Sequence, residues 1–289
     1  MKTLLTPKLD LVFKLLFTKN TTILIDLINA VLGLPESQRI RSVTINNPVI
    51  LPEELAEKFI ILDIYAVDEL NQQYDIEMQT QQYAYYPERI VYYLSKIYTA
   101  QLDSGEQYER LKPVIGIHFL DYEMFPTYTD FHFCFELRDV RYPELRLTDD
   151  VALHLLELPK LEKMKPPEGW GNRLVEWLHF FNHAYEEVEA SMRTHYQNPA
   201  IHEAFKVLET LSADEEVRRL AEIREKALKD KNSALSAAKE EGRKEGELIG
   251  KIQILQRVLK CPISSREELL QKSIEELKAL LQELEAQLN

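Results

Sequence analysis

A chain of 289 residues with 45% hydrophobic and 29% charged residues can bury a substantial core, which sets aside disordered and fibrous classes. Its formal net charge of -13 argues against non-specific coating of nucleic acid, because such binding draws its strength from neutralised phosphates, yet it leaves room for a local basic groove beside metal-holding acids. No stretch reaches the roughly 18 uninterrupted apolar residues of a membrane helix, and Lys8, Asp10 and Lys14 interrupt any signal-like core, so the expectation is a cytoplasmic protein with no membrane partner. Cys134 and Cys261 lie far apart, which speaks against a disulfide framework or a zinc site built on them.

Leu9, Val12, Phe13, Leu16 and Phe17, then Ile23, Leu24, Leu27, Ile28 and Val31, recur at helical spacing. Helix-starting residues at Asn20 to Thr22 and a stop at Gly33 and Pro35 predict two successive helices. RSVTINNPVIL (41–51) and KFIILDIYAVDE (58–69) read as strands, and QQYDIEMQTQ (72–81) alternates after a polar turn, predicting a hairpin of two long strands. Between Tyr85 and Leu102 the helical period returns through Ile90, Tyr93, Leu94, Ile97 and Tyr98, and PVIGIHFL (113–120) is again strand-like, giving a ββαβ order. FHFCFEL (131–137) and VALHLLEL (151–158) continue as strands, and the chain turns helical from about Arg173.

A boundary near Lys229 to Asn232 divides the chain into domains at 1–230 and 231–289. Beyond it, Ala234, Ala238, Gly242, Gly246 and Gly250 recur every fourth residue, on one face of a helix. The glycines would cost an isolated helix on the order of 3 kcal/mol, so the stretch is either a helix with a close partner or a flexible linker. Leu269, Leu270, Ile274, Leu277, Leu280, Leu281, Leu284 and Leu288 predict an amphipathic helical pair, broken near Ser273 and suited to self-association.

The hairpin carries acids where a buried strand is normally apolar. Alternation puts Phe59, Ile61, Asp63, Tyr65 and Val67 on one face of the first strand and Ile60, Leu62, Ile64 and Ala66 on the other; on the second strand Tyr74, Ile76 and Met78 oppose Asp75, Glu77 and Gln79. A turn centred near Leu70 sets Asp63 about opposite Glu77, where cross-strand Cβ atoms are roughly 5 Å apart. Like charges at roughly 4 Å repel by about 4 kcal/mol at an effective dielectric of about 20, so a counter-ion is wanted. Mg²⁺ accepts one or two protein carboxylates and keeps its other positions for water and phosphate. The competing reading is a solvated sheet face on which acids alternate without catalytic reason.

Other candidate residues carry weaker signals. His118, His132 and His154 sit in strand-like runs without ligand spacing and are read as structural. His179 and His183 stand at i and i+4, a spacing that can bind a metal, with no third ligand evident in the sequence. Trp170 and Trp177 read as core or loop anchors. Phosphate loop, dinucleotide fingerprint and nucleophile elbow are all absent from the sequence.

Taken together, PKLDLVFKLLF, ILDIYAVDELNQQYDIEMQTQ, ERIVYYLSKIYTAQLDSGEQYERLKPVIGI and AAKEEGRKEGELIGK resemble the PD-(D/E)XK nuclease superfamily, more narrowly the Rpn-type recombination-promoting nucleases, also described as PD-(D/E)XK family transposases. The resemblance covers most of the chain to about Gly250. It implies an α/β fold of restriction-endonuclease type with an αβββαβ core, a mixed sheet flanked by helices, and metal-dependent cleavage of DNA. Carried over by position, Asp63 stands for the first metal-binding aspartate, Glu77 for the acid of the (D/E)XK element and Gln79 for its lysine. An amide in the lysine place can hydrogen-bond but supplies no positive charge. Met78 offers its backbone carbonyl as a ligand, and Asp10 fills the extra acidic position on the first helix or is a surface acid. Lys8, Lys14, Arg89 and Lys96 are the candidate phosphate contacts; the same residues also read as ordinary surface charges.

The leading expectation is therefore a DNA endonuclease using Mg²⁺ or a similar cation such as Mn²⁺, acting in recombination, mobile-element biology or defence against foreign DNA, and assembled as a homo-oligomer through its tail. The alternative is a non-cleaving assembly or regulatory protein that keeps the nuclease-like core. Gln79 and the acidic net charge favour the alternative, and the Asp63 and Glu77 pair favours the enzyme.

Overall fold

The computed structural model describes residues 3–46, 63–163, 171–187 and 193–287. Of the strands predicted before Asp63, residues 47–51 and 58–62, including Phe59, Ile60, Ile61 and Leu62, lie outside the described residues, as do Trp170 and Leu288. The chain divides into two compact units, Met1–Glu222 and Ile223–Asn289.

In the first unit the predicted N-terminal pair is present as α1 (Asp10–Lys19) and α2 (Thr21–Leu32). Asn20 separates them because its side chain accepts the Thr22 N–H at 3.1 Å, satisfying an orphan donor at the start of α2. Gly33 ends α2 in the left-handed region at φ 62°. Both helices bury one apolar stripe, Val12, Phe13, Leu16 and Phe17 on the first and Ile23, Leu24, Leu27 and Ile28 on the second.

Among the described residues six strands form one mixed sheet: β1 (Val43–Ile45), β2 (Ile64–Asp68), β3 (Gln73–Gln79), β4 (Val114–Leu120), β5 (His132–Glu136) and β6 (Val151–Glu157), in spatial order β1-β2-β3-β4-β6-β5. β2 and β3 are the predicted antiparallel hairpin, turned through Asn71 at φ 63°. A crossover through α3 (Tyr86–Thr99) makes β3 and β4 parallel, β6 is parallel to β4, and β5 returns antiparallel at the edge. Central β4 is buried along its whole length, which explains its continuous apolar run.

Helices cover both faces of the sheet. On one, α1 packs with α5 (Arg173–His183), bringing Phe13 within 6.1 Å of Phe119 and Phe181 within 4.9 Å of Phe119, ring centre to ring centre, beside the buried Trp177. α6 (Pro199–Ala213) packs against α1 and α2. On the other, Tyr86, Ile90, Leu94 and Ile97 of α3 pack with Val114, Leu120 and Leu155. Gly116 permits that approach, since a Cβ there would meet Leu153 Cδ1 at 2.9 Å and both Leu94 Cδ1 and His118 Nε2 at 3.3 Å. A short α4 (Leu158–Lys163) follows β6 directly.

α7 (Glu215–Val258) is a 44-residue helix that begins in the first unit and continues through the second. It runs unbroken through the boundary predicted near residue 230 and through the glycine-rich stretch, so that stretch is helix rather than linker. Among the described residues nothing lies within 4 Å of a Cβ placed at Gly242, Gly246 or Gly250. The second unit has its own small core of Ile249, Ile252, Leu269, Leu277 and Leu284, joining α7 to α8 (Arg266–Leu270) and α9 (Ile274–Ala286). Ser265 and Ser273 start the two short helices with reciprocal capping boxes to Glu268 and Glu276.

Candidate active site

The hairpin register decides which acids meet. Ile64 pairs with Ile76 and Tyr65 with Asp75, so one further step places Asp63 opposite Glu77. Asp63 Oδ2 accepts the backbone N–H of Met78 at 3.0 Å, fastening the carboxylate to the facing strand. Met78 itself turns its side chain into the opposite, buried face. Asp63, Glu77 and Gln79 stand where β2 begins and the parallel strands β3 and β4 end, the edge at which open α/β sheets bind ligands.

Glu77 and Asp75 lie beneath α3 and are 3% and 0% exposed, a burial that solvated acids on an open sheet face would not show. Burial and the neighbouring Asp75 push the Glu77 carboxyl up to about 7, with His118 opposing, Asp63 adding to the rise and Arg89 opposing. Asp63 is pushed up to about 6, first by burial, against the Met78 hydrogen bond and with the charges of Asp10 and Asp75. Asp10, in the first turn of α1, thus belongs to the same electrostatic cluster; one of its oxygens also accepts the Leu11 N–H at 2.7 Å.

Two residues approach these acids from α3 and β4. Arg89 on α3 stands 3.6 Å from Glu77 Oε2, with its guanidinium 4.9 to 5.7 Å from the ring centres of Tyr83, Tyr86 and Tyr93. His118, paired in register with Glu77 on β4, is fully buried, with Nδ1 2.8 Å from the Tyr86 hydroxyl and Nε2 3.4 Å from Asp75 Oδ2. Burial lowers its pKa, but the Asp75 and Glu77 carboxylates outweigh burial and raise it overall. Gln79 donates its side-chain amide to Glu77 Oε2 at 3.0 Å.

The candidate phosphate contacts are divided between α1 with the residues before it, which carry Lys14 and Lys8, and α3, which carries Arg89 and Lys96. Lys8 is held by Asp121 at 2.8 Å and Asn182 at 3.3 Å. Lys14 is half-buried on α1, and Lys96 is exposed on α3 with its ammonium 5.7 Å from the Tyr92 ring centre. Arg89 faces Glu77 rather than open solvent. Asp75, His118 and Tyr86 join this cluster without having been candidate site residues in the sequence. The alternation already put Asp75 beside Glu77, whereas His118 becomes visible only once β4 is paired with β3.

The residues present fit a divalent cation. Among the described residues, neither oxygen of the buried Asp75 accepts a hydrogen bond, and the Asp63 and Glu77 carboxyls are both raised, first by burial and then by like charges around them. Excess buried negative charge built from oxygen donors is the environment that a hard cation relieves.

A mixed six-stranded sheet flanked by helices, with acids gathered at the carboxyl ends of its parallel strands, defines an α/β protein of the PD-(D/E)XK type. The sequence model for PD-(D/E)XK nuclease family transposases matches residues 7–238, and the chain belongs to that family. No curated protein and no solved structure matches it. Membership supports a nuclease-like function with DNA as substrate, and nucleases of this type generally use divalent metal ions. No described helix is long and apolar enough to cross a membrane.

Proposed function

We propose that the chain is a metal-dependent DNA endonuclease of the cytoplasm, in which Asp63, Glu77, the Met78 carbonyl and Asp10 hold a Mg²⁺ or Mn²⁺ ion. The observation that carries this reading is the gathering of half-buried Asp63 and buried Glu77 in one like-charged cluster whose carboxyls are both raised. When bound, such an ion lowers the pKa of a coordinated water and offsets charge building on the phosphate.

The chain's own groups do the positioning. Gln79 spends one amide N–H on Glu77, which orients that carboxylate and leaves the second N–H to direct a water or a phosphate oxygen. Arg89, fixed on its tyrosine rings, supplies the standing positive charge that lysine gives elsewhere in the superfamily. His118 balances Asp75 beneath the reacting edge, and Tyr86 fixes the imidazole from behind. Lys8, Lys14 and Lys96 take the DNA backbone, with Arg89 as an inner contact. Assembly through the C-terminal helices and a role in recombination, mobile-element movement or defence complete the reading.

A second reading has one specific observation in its favour. Arg89 and Gln79 both already engage Glu77, as they would in a nuclease-like scaffold that no longer cleaves and acts through its tail. Plasmid nicking with Mg²⁺, Mn²⁺ or EDTA, comparing the parent with Asp63→Ala and Glu77→Ala, separates the two. Nicking that needs metal and disappears in both variants is expected. Equal activity in the variants removes the site assignment, and a parent inactive under every condition favours the scaffold.

A further inference from the structure

The second cluster of ligand-type side chains lies in the helical layer that holds α5 and α6. His179 on α5, Glu187 just after it and His195 before α6 each offer one atom within 4.8 Å of the others. The i,i+4 pattern of the sequence pointed to His183 as the partner of His179. His183 instead sets Nε2 2.9 Å from Glu162 and its ring against that of His179, with centres 4.3 Å apart.

Three features make this a built site rather than a chance grouping. Glu187 Oε1 and His195 Nε2 are 3.4 Å apart, close to the roughly 3.3 Å edge of a tetrahedron with metal-ligand bonds of about 2.0 Å. The Tyr196 hydroxyl stands 2.9 Å from His179 Nδ1 and holds the imidazole from that side. A hydroxyl partner on one ring nitrogen is the arrangement that orients a metal-bound imidazole. Arg193 directs Nε to the Glu187 backbone carbonyl at 2.9 Å and Nη1 to Glu209 at 2.6 Å, which fixes the main chain that carries Glu187.

We propose that His179, Glu187 and His195 bind a transition-metal cation of the Zn²⁺ class, tying the end of α5 to the approach to α6, with Tyr196 as the positioning residue. Two imidazoles and one carboxylate suit Zn²⁺ and leave a fourth position for water, whereas the oxygen-only hairpin cluster suits Mg²⁺. The site stands independently of whether the hairpin cleaves DNA.

The test uses the full-length, tag-free chain carrying Asp63→Ala and Glu77→Ala, so that the hairpin acids cannot compete for metal. After chelator treatment, Zn²⁺ is titrated by calorimetry, and Co²⁺ is followed by its visible absorption. One ion per chain and a four-coordinate Co²⁺ spectrum are expected. His195→Asn should weaken binding about a hundredfold and Tyr196→Phe, which keeps the ring, about tenfold, while His183→Asn leaves it in place. Circular dichroism of each variant checks folding; should His195→Asn unfold, Tyr196→Phe carries the comparison. No stoichiometric Zn²⁺ binding by the parent, or parental affinity in the folded variants, overturns the proposal.

Discussion

Gln79 donates to Glu77 Oε2 at 3.0 Å, so this amide is tied to the acid two residues before it. This contact gives Gln79 a defined task, holding Glu77 in place and presenting one further N–H. Gln79→Ala should therefore slow single-turnover nicking by about tenfold to a hundredfold, and Gln79→Lys should retain activity. Parental rates in Gln79→Ala would show that the amide has no part in the reaction.

The hairpin acids set a pH dependence whose sign follows from their raised values. Asp63 rises from 3.8 to about 6 and Glu77 from 4.5 to about 7, so the folded state favours their protonated forms. The stabilisation is fully present below about pH 4 and is lost as pH climbs through 6 and 7. With EDTA present, the parent's melting temperature should fall between pH 5 and pH 8 relative to an Asp63→Asn, Glu77→Gln variant. Mg²⁺ should raise the parent's melting temperature more at pH 8 than at pH 5, because it competes with protons for the same oxygens. A pH profile identical in parent and variant would count against a shared acidic cluster.

Gly116 lies beneath α3 where a methyl group would sit 2.9 Å from Leu153 Cδ1. Gly116→Ala is expected to destabilise the first unit by about 1 to 3 kcal/mol in urea unfolding. Adding Leu153→Ala should recover part of that loss by removing the crowded atom. A neutral single substitution would mean that the layer yields more easily than this packing implies.

The tail makes its own core around Leu277, which is fully buried. Leu277→Ala should cost that unit about 2 to 5 kcal/mol while leaving the metal-dependent behaviour of the hairpin intact. Deleting residues 232–289 should lower the mass measured by light scattering by more than the loss of one tail per chain. A mass that drops only by the deleted residues would rule out assembly through this segment.

If Lys14 and Lys96 touch phosphates, replacing either by alanine should weaken binding to unrelated DNA sequences alike and reduce the slope of log affinity against log salt by about one. An unchanged slope would return that lysine to the ordinary surface.

Local patterns in the chain disclosed much of this architecture because their causes are local. The apolar period of α1, α2 and α3, the Asn20 and Gly33 signals and the alternation of β3 depend on neighbouring residues, and each predicted element is present. The opposition of Asp63 and Glu77 was legible too, since a tight turn sets hairpin register. Within α7 the glycines left helix and linker undecided, because propensity alone does not determine the outcome of a long charged segment.

By itself, then, the sequence determined the hairpin and its facing acids, the apolar stripes that cover the sheet and the capped helices of the tail. Tertiary structure alone decided that β4 pairs in parallel with β3, bringing His118 to Glu77 and Asp75 under a shared roof of tyrosines. It also decided that His179 meets Glu187 and His195 rather than closing a pair with His183. The physical reason is the same in both places. Side-chain period is a property of one segment, whereas the charge environment of a buried group belongs to every segment packed around it, and only the folded chain brings those segments together.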